Sequence, residues 1–306
     1  MKWRTVRSLD EKKIILYCDD LVKIYQSDGV EVMALQGLEL EIFRGEILAI
    51  IGKSGSGKST LLNVLGGLER PTAGKLYLEE QSVFDQKRAD LVRYRYETVG
   101  FVRQTAEDNL FPYLTALENV EAPMMAASGR RGKGKGGAGE RRKRAMALLT
   151  LVGIGEKADS YPAQLSGGQA QRVAIAAALA NMPKILLADE PTGAVDTQTS
   201  HEILTVFQRL REELGLTIII VTHDQRLARD VDRVLMISDG KISTEQHRRQ
   251  EDIYSVLDKA GRIKLDDEIL EKAGIYDKRV KVEVREGKII LSGVRQDEDN
   301  EERKGL

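Results

Sequence analysis

The chain has 306 residues, of which 42% are hydrophobic and 31% are charged, and its formal net charge is −1. This composition is typical of a globular protein with room for two domains, and the balanced charge argues against extended nucleic-acid binding. The sequence has neither a signal peptide nor an apolar run near the roughly 18 residues of a membrane span, so we expect a cytosolic protein.

The first predicted elements are strands, because short apolar stretches alternate with polar residues and turn signals between Ile14 and Ile42. From Glu46 onward the pattern changes to continuous apolar runs at 47–51, 185–188 and 217–221, separated by helical patterns. Runs of this kind indicate strands buried on both faces of a parallel sheet. We therefore predict an α/β fold with a parallel core.

A glycine-rich segment follows the first apolar run and matches the phosphate-binding pattern G-x-x-x-x-G-K-[ST]. In such a loop, backbone N–H groups and a helix N-terminus bind phosphate, Lys58 reaches the β and γ phosphates of ATP, and Ser59 ligates Mg²⁺. The predicted nucleotide-binding residues in this segment are Gly52, Ser54, Gly55, Ser56, Gly57, Lys58, Ser59 and Thr60.

Gln104 follows the apolar stretch 99–102 and could offer its amide oxygen to Mg²⁺, although a glutamine after a strand is more often polar surface. Residues of about 105–180 are predicted to be mostly helical, with a mobile loop from Ser128 to Glu140, where glycine and basic residues replace apolar ones. The basic stretch Arg130 to Arg144 is either a solvated loop or a contact to anionic lipid or to a partner protein.

Residues 165–169, Leu-Ser-Gly-Gly-Gln, precede a strong helical pattern. The Ser166 hydroxyl group and the backbone N–H groups of Gly167, Gly168 and Gln169 predict a second anion-binding helix start. One chain therefore carries two phosphate-binding elements, which a single nucleotide pocket does not require.

Asp189 and Glu190 lie at the end of the apolar run 185–188, where a parallel sheet presents its ligand-binding edge. Asp189 is suited to hold Mg²⁺, and Glu190 to accept a proton from the attacking water. His223 follows the run that starts at Thr217 and could contact the γ phosphate and order that water; a structural cap is the alternative. The predicted catalytic residues are Glu190, His223 and Lys58.

This ordered motif set resembles the ATPase subunits of ABC transporters over about residues 14–245, and longer matching stretches resemble the lipoprotein-release, macrolide-efflux and cell-division group. The resemblance implies a P-loop ATPase domain with a parallel core, an antiparallel β subdomain and a helical subdomain. It also implies that two copies pack head to tail around Mg-ATP, with Tyr25 stacking on adenine and Asp196 crossing to the other copy's site.

By the same resemblance, ATP hydrolysis drives a separate integral membrane permease, with the subunit peripheral on the inner face of the membrane. A soluble ABC ATPase of DNA repair or translation is an alternative, but it would carry a long coiled-coil insertion or a second cassette. An ATP-sensing transcriptional regulator is the other alternative.

The predicted domains are the ATPase domain at 1–246, a small extension at 247–295 and a disordered charged tail at 296–306. In the extension, alternating valines from Val280, a Glu286-Gly287 turn and a second apolar run predict a hairpin. Residues 258–291 resemble the AbrB-type swapped hairpin, which implies a dimerisation appendage that pairs two ATPase subunits between cycles, or else a β extension packed on its own domain. Mixed charges in this part make nucleic acid an unlikely partner.

Overall fold

The structure is a computed structural model that describes residues 13–27, 29–128, 137–193, 195–224, 230–247, 253–257, 261–265, 267–275 and 280–293. The chain divides into two compact units between Tyr254 and Ser255, later in the chain than the predicted end of the first domain at 246. Part of the predicted mobile loop, residues 129–136, and the predicted tail, 296–306, lie outside the described residues. The role predicted for the second domain stays a prediction.

The elements are numbered in chain order. The strands are β1 (Ile14–Ser27), β2 (Val30–Phe43), β3 (Ile47–Ile51), β4 (Ala73–Leu78), β5 (Gln81–Ser82), β6 (Val99–Val102), β7 (Ile185–Asp189), β8 (Thr217–Thr222), β9 (Arg233–Ser238), β10 (Lys241–His247), β11 (Ile253–Ser255), β12 (Val280–Arg285) and β13 (Lys288–Gly293). The helices are α1 (Lys58–Leu65), α2 (Arg88–Arg93), α3 (Ala116–Ser128), α4 (Ala138–Leu151), α5 (Gly167–Ala178), α6 (Thr197–Leu214) and α7 (Asp267–Lys272).

The central sheet has the strand order β11-β10-β9-β3-β8-β7-β6, and the strands from β9 to β6 in this order are parallel neighbours. Ala49 of β3 belongs to one hydrophobic cluster, with residues of α3, α4, α5 and α6, whereas Leu48 and Ile50 belong to another, with β1, β2 and α1. Both faces of the sheet are therefore buried, which explains the continuous apolar runs and confirms the predicted parallel core.

A second sheet, of strand order β2-β1-β4-β5, is antiparallel and covers the face of the core that α1 also covers. Its two long strands, β1 and β2, pair along their whole length and bring Tyr25 opposite Val32. The predicted antiparallel subdomain is thus confirmed.

The region predicted to be helical contains α3, α4 and α5, which pack together in one hydrophobic cluster. The predicted loop ended at Glu140, but α4 already begins at Ala138, so this boundary was wrong for its last residues. Glu140 lies in the first turn of α4, where a negative charge is favourable beside the positive end of the helix dipole. Within the described ranges, no helix is long and apolar enough to cross a membrane.

The second unit contains the predicted hairpin, in which β12 and β13 pair in antiparallel register from Val280 opposite Gly293 to Arg285 opposite Lys288. The two residues between the strands, Glu286 and Gly287, both have positive φ values, 50° and 75°. Positive φ at both central positions is the geometry of a type I′ turn, whose twist matches that of paired strands.

Candidate functional site

The loop between β3 and α1 is held close to its surroundings at two glycines. A Cβ atom at Gly57 would lie 2.3 Å from the carbonyl oxygen of Ala34, and one at Gly52 would lie 2.5 Å from the carbonyl oxygen of Ile237. Gly57 also has a φ of 100°, which an L side chain rarely adopts, and it caps the N-terminus of α1. The sequence therefore needs glycine here for the loop to turn tightly into the helix.

Lys58, the first residue of α1, is buried, with only 7% of its surface exposed. Its ammonium group donates hydrogen bonds to the carbonyl oxygens of Gly52, at 2.8 Å, and Lys53, at 2.9 Å. The positive charge thus lies inside the curve of the loop, beside the backbone that a phosphate group would contact.

The parallel register brings the ends of four strands to one edge of the sheet. Ile51 of β3 is opposite Thr222 of β8, Asp189 of β7 is opposite Val221, and Val102 of β6 is opposite Ala188. The residues that follow these positions are the loop after β3, Gln104, Glu190 and His223. Residues far apart in sequence therefore meet because parallel strands end at the same edge.

Glu190 has a φ of 47°, in the left-handed region that a non-glycine residue rarely adopts. Its N–H group donates to the carbonyl oxygen of Val221 at 2.8 Å, which holds this backbone conformation at the end of β7. Its side chain is mostly buried, and Oε2 lies 2.5 Å from Nδ1 of His223, whose own side chain is 67% exposed. Unusual backbone conformations of this kind cluster at functional sites.

Asp189 lies beside Ser59, in the first turn of α1, and precedes Glu190 in the chain. Burial raises the pKa of Asp189 above its ordinary value, the hydrogen bond from Ser59 opposes this change, and the charge of Glu190 adds to it. The Ser59 hydroxyl group is 3.5 Å from Oδ1 of Asp189, so two oxygen ligands suited to Mg²⁺ face each other.

These groups surround one cleft of about 600 Å³. The residues that line it are Ala34, Ser54, Gly55, Gly57, Lys58, Ser59, Thr60, Gln104, Asp189, Glu190 and His223. A hydroxyl, an amide and a carboxylate oxygen are hard ligands for Mg²⁺. The glycines of the loop, Gly52, Gly55 and Gly57, have no Cβ atoms and leave the neighbouring N–H groups open to phosphate, so this set fits Mg-ATP. A second cleft, of about 290 Å³, lies at the opposite edge beside Lys184 and Leu216 and contains none of the predicted site residues.

Tyr25 does not line this cleft, but it lies beside α1. Its hydroxyl group donates to Oε2 of Glu69 at 2.6 Å and lies 3.4 Å from the hydroxyl oxygen of Thr60. Partial burial, supported by Glu69, raises the pKa of Tyr25. Burial by itself would raise the pKa of Glu69, but hydrogen bonds from Tyr25, Asn63 and Lys23 together outweigh it and hold that pKa below its ordinary value. Lys23 lies over the Tyr25 ring, 5.0 Å from its centroid.

The segment 165–169 does not line the cleft. Ser166 caps α5, and its hydroxyl oxygen accepts a hydrogen bond from the backbone N–H of Gln169 while the Gln169 side chain accepts one from the Ser166 N–H. A Cβ atom at Gly168 would lie only 2.3 Å from Cγ2 of Thr199 in α6. The first turns of α5 and α6 are therefore in direct contact.

Asp196 also lies outside the cleft and caps α6. Its carboxylate accepts hydrogen bonds from the backbone N–H of Thr199, at 3.0 Å, and from the Thr199 hydroxyl group, at 2.7 Å. The backbone hydrogen bond is the main reason why the pKa of Asp196 is below its ordinary value. Thr199 thus connects Asp196 with Gly168.

A glycine-rich loop leading from a parallel strand into a helix, with carboxylates at the end of another parallel strand of the same sheet, defines a P-loop nucleotide hydrolase. The family model described as "ABC transporter" matches residues 35–193. The chain is 44% identical, over 73% of its length and 95% of the relative, to the lipoprotein-releasing system ATP-binding protein LolD of Syntrophotalea carbinolica. The chain belongs to the ABC transporter family.

Two further comparisons agree with this assignment. The chain is 46% identical to the macrolide export ATP-binding/permease protein MacB of Syntrophobacter fumaroxidans, over 76% of its length, but it spans only 31% of that relative. The dimeric structure of the cassette MJ0796 of Methanocaldococcus jannaschii matches 77% of the chain and all of that cassette, with 41% identity and a TM-score of 0.70. The predicted family, fold class and ATPase activity are confirmed, with ATP and Mg²⁺ as nucleotide and ion.

The roles predicted for individual site residues stay predictions. The structure brings Lys58, Ser59, Gln104, Asp189, Glu190 and His223 together in one cleft, and it leaves Tyr25, Ser166 to Gln169 and Asp196 outside it. Sequence reasoning missed Ala34, Glu69 and Thr199. Ala34 and Glu69 contact the site through partners distant in sequence, so no local pattern marks them. Thr199 follows Asp196 by three residues, a spacing typical of a helix cap, but its contact with Gly168 is between residues distant in sequence.

Proposed function

We propose that this cassette binds Mg-ATP in the cleft at the carboxyl ends of its parallel strands and hydrolyses it there. The observation that carries the proposal is that one cleft combines the loop after β3 with the side chains that follow β6, β7 and β8. In this proposal, the loop residues Gly52 and Ser54 to Thr60 bind the phosphates, and Tyr25 stacks on the adenine.

The proposed chemistry assigns a separate task to each group at the edge of the sheet. Ser59, Gln104 and Asp189 offer oxygen ligands to Mg²⁺, which when bound supplies positive charge that neutralises charge developing on the phosphate oxygens. Lys58 supplies a second positive charge on the loop side. Glu190 accepts a proton from the attacking water, and the contact with His223 orients its carboxylate.

We further propose that a second copy of the chain completes the site. Ser166, Gly167, Gly168 and Gln169 form a capped helix start with N–H groups suited to phosphate, yet they do not line the cleft of their own chain. The dimeric state described for the MJ0796 cassette supports a head-to-tail pair in which these residues and Asp196 serve the other copy's nucleotide.

The proposed partner of the cassette pair is a separate integral membrane permease, at whose inner face the ATPase is peripheral. Two aromatic residues shortly after Gln104, Phe111 and Tyr113, are 48% and 71% exposed, and their ring centroids lie 5.9 Å apart. Exposed paired aromatic rings are typical of protein interfaces. Their position close to Gln104 in the chain supports a route between the permease and the nucleotide.

The test uses two lysines of the same loop. Lys58→Ala removes the buried ammonium group, whereas Lys53→Ala removes an exposed one and is the matched control. We expect phosphate release from ATP to be lost in Lys58→Ala and retained in Lys53→Ala. Equal turnover in the two variants would contradict the proposed site.

The proposed pairing is tested separately with Glu190→Gln, which should bind ATP without hydrolysing it. We expect its molar mass in light scattering to double when Mg-ATP is added. A mass that does not change in the presence of Mg-ATP would contradict the pairing while leaving the ATPase site intact.

A further inference from the structure

Helices α5 and α6 are joined by an ion pair as well as by the contact of Gly168 with Thr199. One turn further along α5, the guanidinium group of Arg172 is paired with the carboxylate of Glu202 in α6. Residues 168 and 172 are four apart, and residues 199 and 202 are three apart, so each two lie on one face of their helix. The facing surfaces of the two helices therefore meet through a close steric contact and an ion pair.

The Arg172 side chain is partly buried, with 20% of its surface exposed, against 45% for Glu202. Its Nη1 atom would lie 3.9 Å from a Cβ atom at Gly153, which follows the C-terminal end of α4. The partial negative charge at the end of a helix is favourable for a guanidinium group. The arginine is thus held between the end of α4 and the first turns of α6.

The two helices begin with the groups that the proposed head-to-tail pair requires. Ser166 and Gly167 at the start of α5 are exposed, and so is Asp196, which caps α6. Between the two helices the chain runs through β7, so the backbone connection by itself does not set the distance between their starts. Side-chain contacts between α5 and α6 must set it.

We propose that the Arg172–Glu202 ion pair is a positioning element of the site shared by two copies, because it keeps residues 166–169 and Asp196 in the arrangement in which both meet the other copy's nucleotide. This inference rests on the proposed function, which supplies the second copy. Neither Arg172 nor Glu202 lines the cleft of its own chain. Loss of the pair should therefore weaken ATP-dependent pairing and leave ATP binding by a single copy unchanged.

The size of the expected effect follows from the exposure of the pair. A partly exposed ion pair shifts an equilibrium by about threefold, and here that equilibrium sets the fraction of copies whose α5 and α6 are correctly arranged. A fall in this fraction weakens binding in proportion. A symmetric dimer needs the arrangement in both copies, so the two effects multiply to about tenfold.

The experiment uses full-length Glu190→Gln protein and two arginine variants. Arg172→Met removes the guanidinium group and keeps an apolar side chain that covers the same surface. Arg209→Met is the matched control, because Arg209 is paired at 2.6 Å with Glu213 of its own helix and joins no second helix through this pair. With Mg-ATP, we expect the dissociation constant of the dimer in sedimentation velocity to rise about tenfold in Arg172→Met and to stay unchanged in Arg209→Met.

Two further measurements separate positioning from a general loss of stability. A fluorescent ATP analogue should bind Arg172→Met and the parent equally well at protein concentrations at which the copies remain single. The double variant Arg172→Glu with Glu202→Arg restores the pair in reversed orientation. Its dimer should dissociate less readily than that of Arg172→Glu alone, because residues in contact are coupled.

Equal dissociation constants for Arg172→Met and Arg209→Met, in a parent that does dimerise with Mg-ATP, would overturn this inference and leave the proposed function standing. The inference would also be refuted by a reversed pair no better than Arg172→Glu alone, or by weaker binding of the analogue to single copies of Arg172→Met. A parent that stays monomeric would overturn the proposed pairing of the cassettes, and the inference with it.

Discussion

Nδ1 of His223 lies 2.5 Å from Oε2 of Glu190, although the two residues follow different strands, β8 and β7. The contact exists because β7 and β8 are parallel neighbours that end at the same edge of the sheet. With the proton on Nδ1, the imidazole donates to the carboxylate and limits its rotation. The carboxylate of Glu190, the proton acceptor of the proposed reaction, is therefore oriented before any nucleotide is bound.

Replacing His223 by alanine removes this orientation. We expect kcat for ATP hydrolysis to fall by about 100-fold, within the range measured for acid–base groups, with a small change in nucleotide affinity. His201→Ala is the control, because His201 is an exposed histidine in α6. Phosphate release and nucleotide titration separate the two effects, and a large loss of affinity with unchanged kcat would be the contrary result.

Asp189→Asn should stabilise the nucleotide-free protein while it impairs ATP hydrolysis. The pKa of Asp189 is higher in the folded protein than in the unfolded chain, where it is about 3.9. The protonated carboxyl therefore stabilises the folded state below the unfolded pKa, and this stabilisation is lost as the pH rises through the folded pKa. The gain from Asp189→Asn is therefore larger at pH 7 than near pH 4.

Urea unfolding at both pH values measures this gain. Asp196→Asn is the control and should have the opposite effect. Hydrogen bonds from Thr199 lower the pKa of Asp196, so its carboxylate stabilises the folded protein above the unfolded pKa, and Asp196→Asn should destabilise the protein at pH 7. An Asp189→Asn variant that is less stable than the parent at pH 7 would refute the assignment of burial as the dominant effect.

Glu69→Ala should weaken ATP binding through Tyr25. Loss of one hydrogen bond, worth about 1 kcal/mol, corresponds to about fivefold in affinity if it orients the ring against adenine. Tripolyphosphate, which lacks the base, should bind Glu69→Ala and the parent equally well. In a Tyr25→Phe background the hydroxyl group is already absent, so Glu69→Ala should have no further effect, and a full additional loss would contradict the role.

Gly168→Ala should destabilise the fold, because the new Cβ atom would lie 2.3 Å from Cγ2 of Thr199. Overpacking of this kind costs about 1–3 kcal/mol and lowers the melting temperature by several degrees. Gly167→Ala is the control, since its Cβ would lie at an ordinary 3.7 Å from Val195.

Thr199→Ser removes the obstructing methyl group but keeps the hydroxyl group that donates to Asp196. The double variant should therefore regain most of the stability lost in Gly168→Ala. A double variant as unstable as Gly168→Ala would show that the clash lies elsewhere.

The local parts of the site could be predicted because each is a short segment with a structural consequence of its own. The spacing of Gly52, Gly57, Lys58 and Ser59 requires a tight turn into a helix, and the carboxylates of Asp189 and Glu190 follow an apolar run that must end at a sheet edge. The boundary of α4 could not be predicted, because the basic residues after Glu140 have no apolar pattern to mark the start of the helix.

The sequence by itself determined the fold class, the phosphate-binding loop and the order of the functional groups, because motif and hydrophobic pattern are properties of neighbouring residues. Only the tertiary structure decided that Glu69 holds Tyr25, that Ala34 lines the cleft and that Thr199 connects Asp196 with Gly168. It also decided that residues 166–169 lie outside the cleft of their own chain. The physical reason is that these contacts join elements distant in sequence, and strand pairing and helix packing alone determine which of them meet.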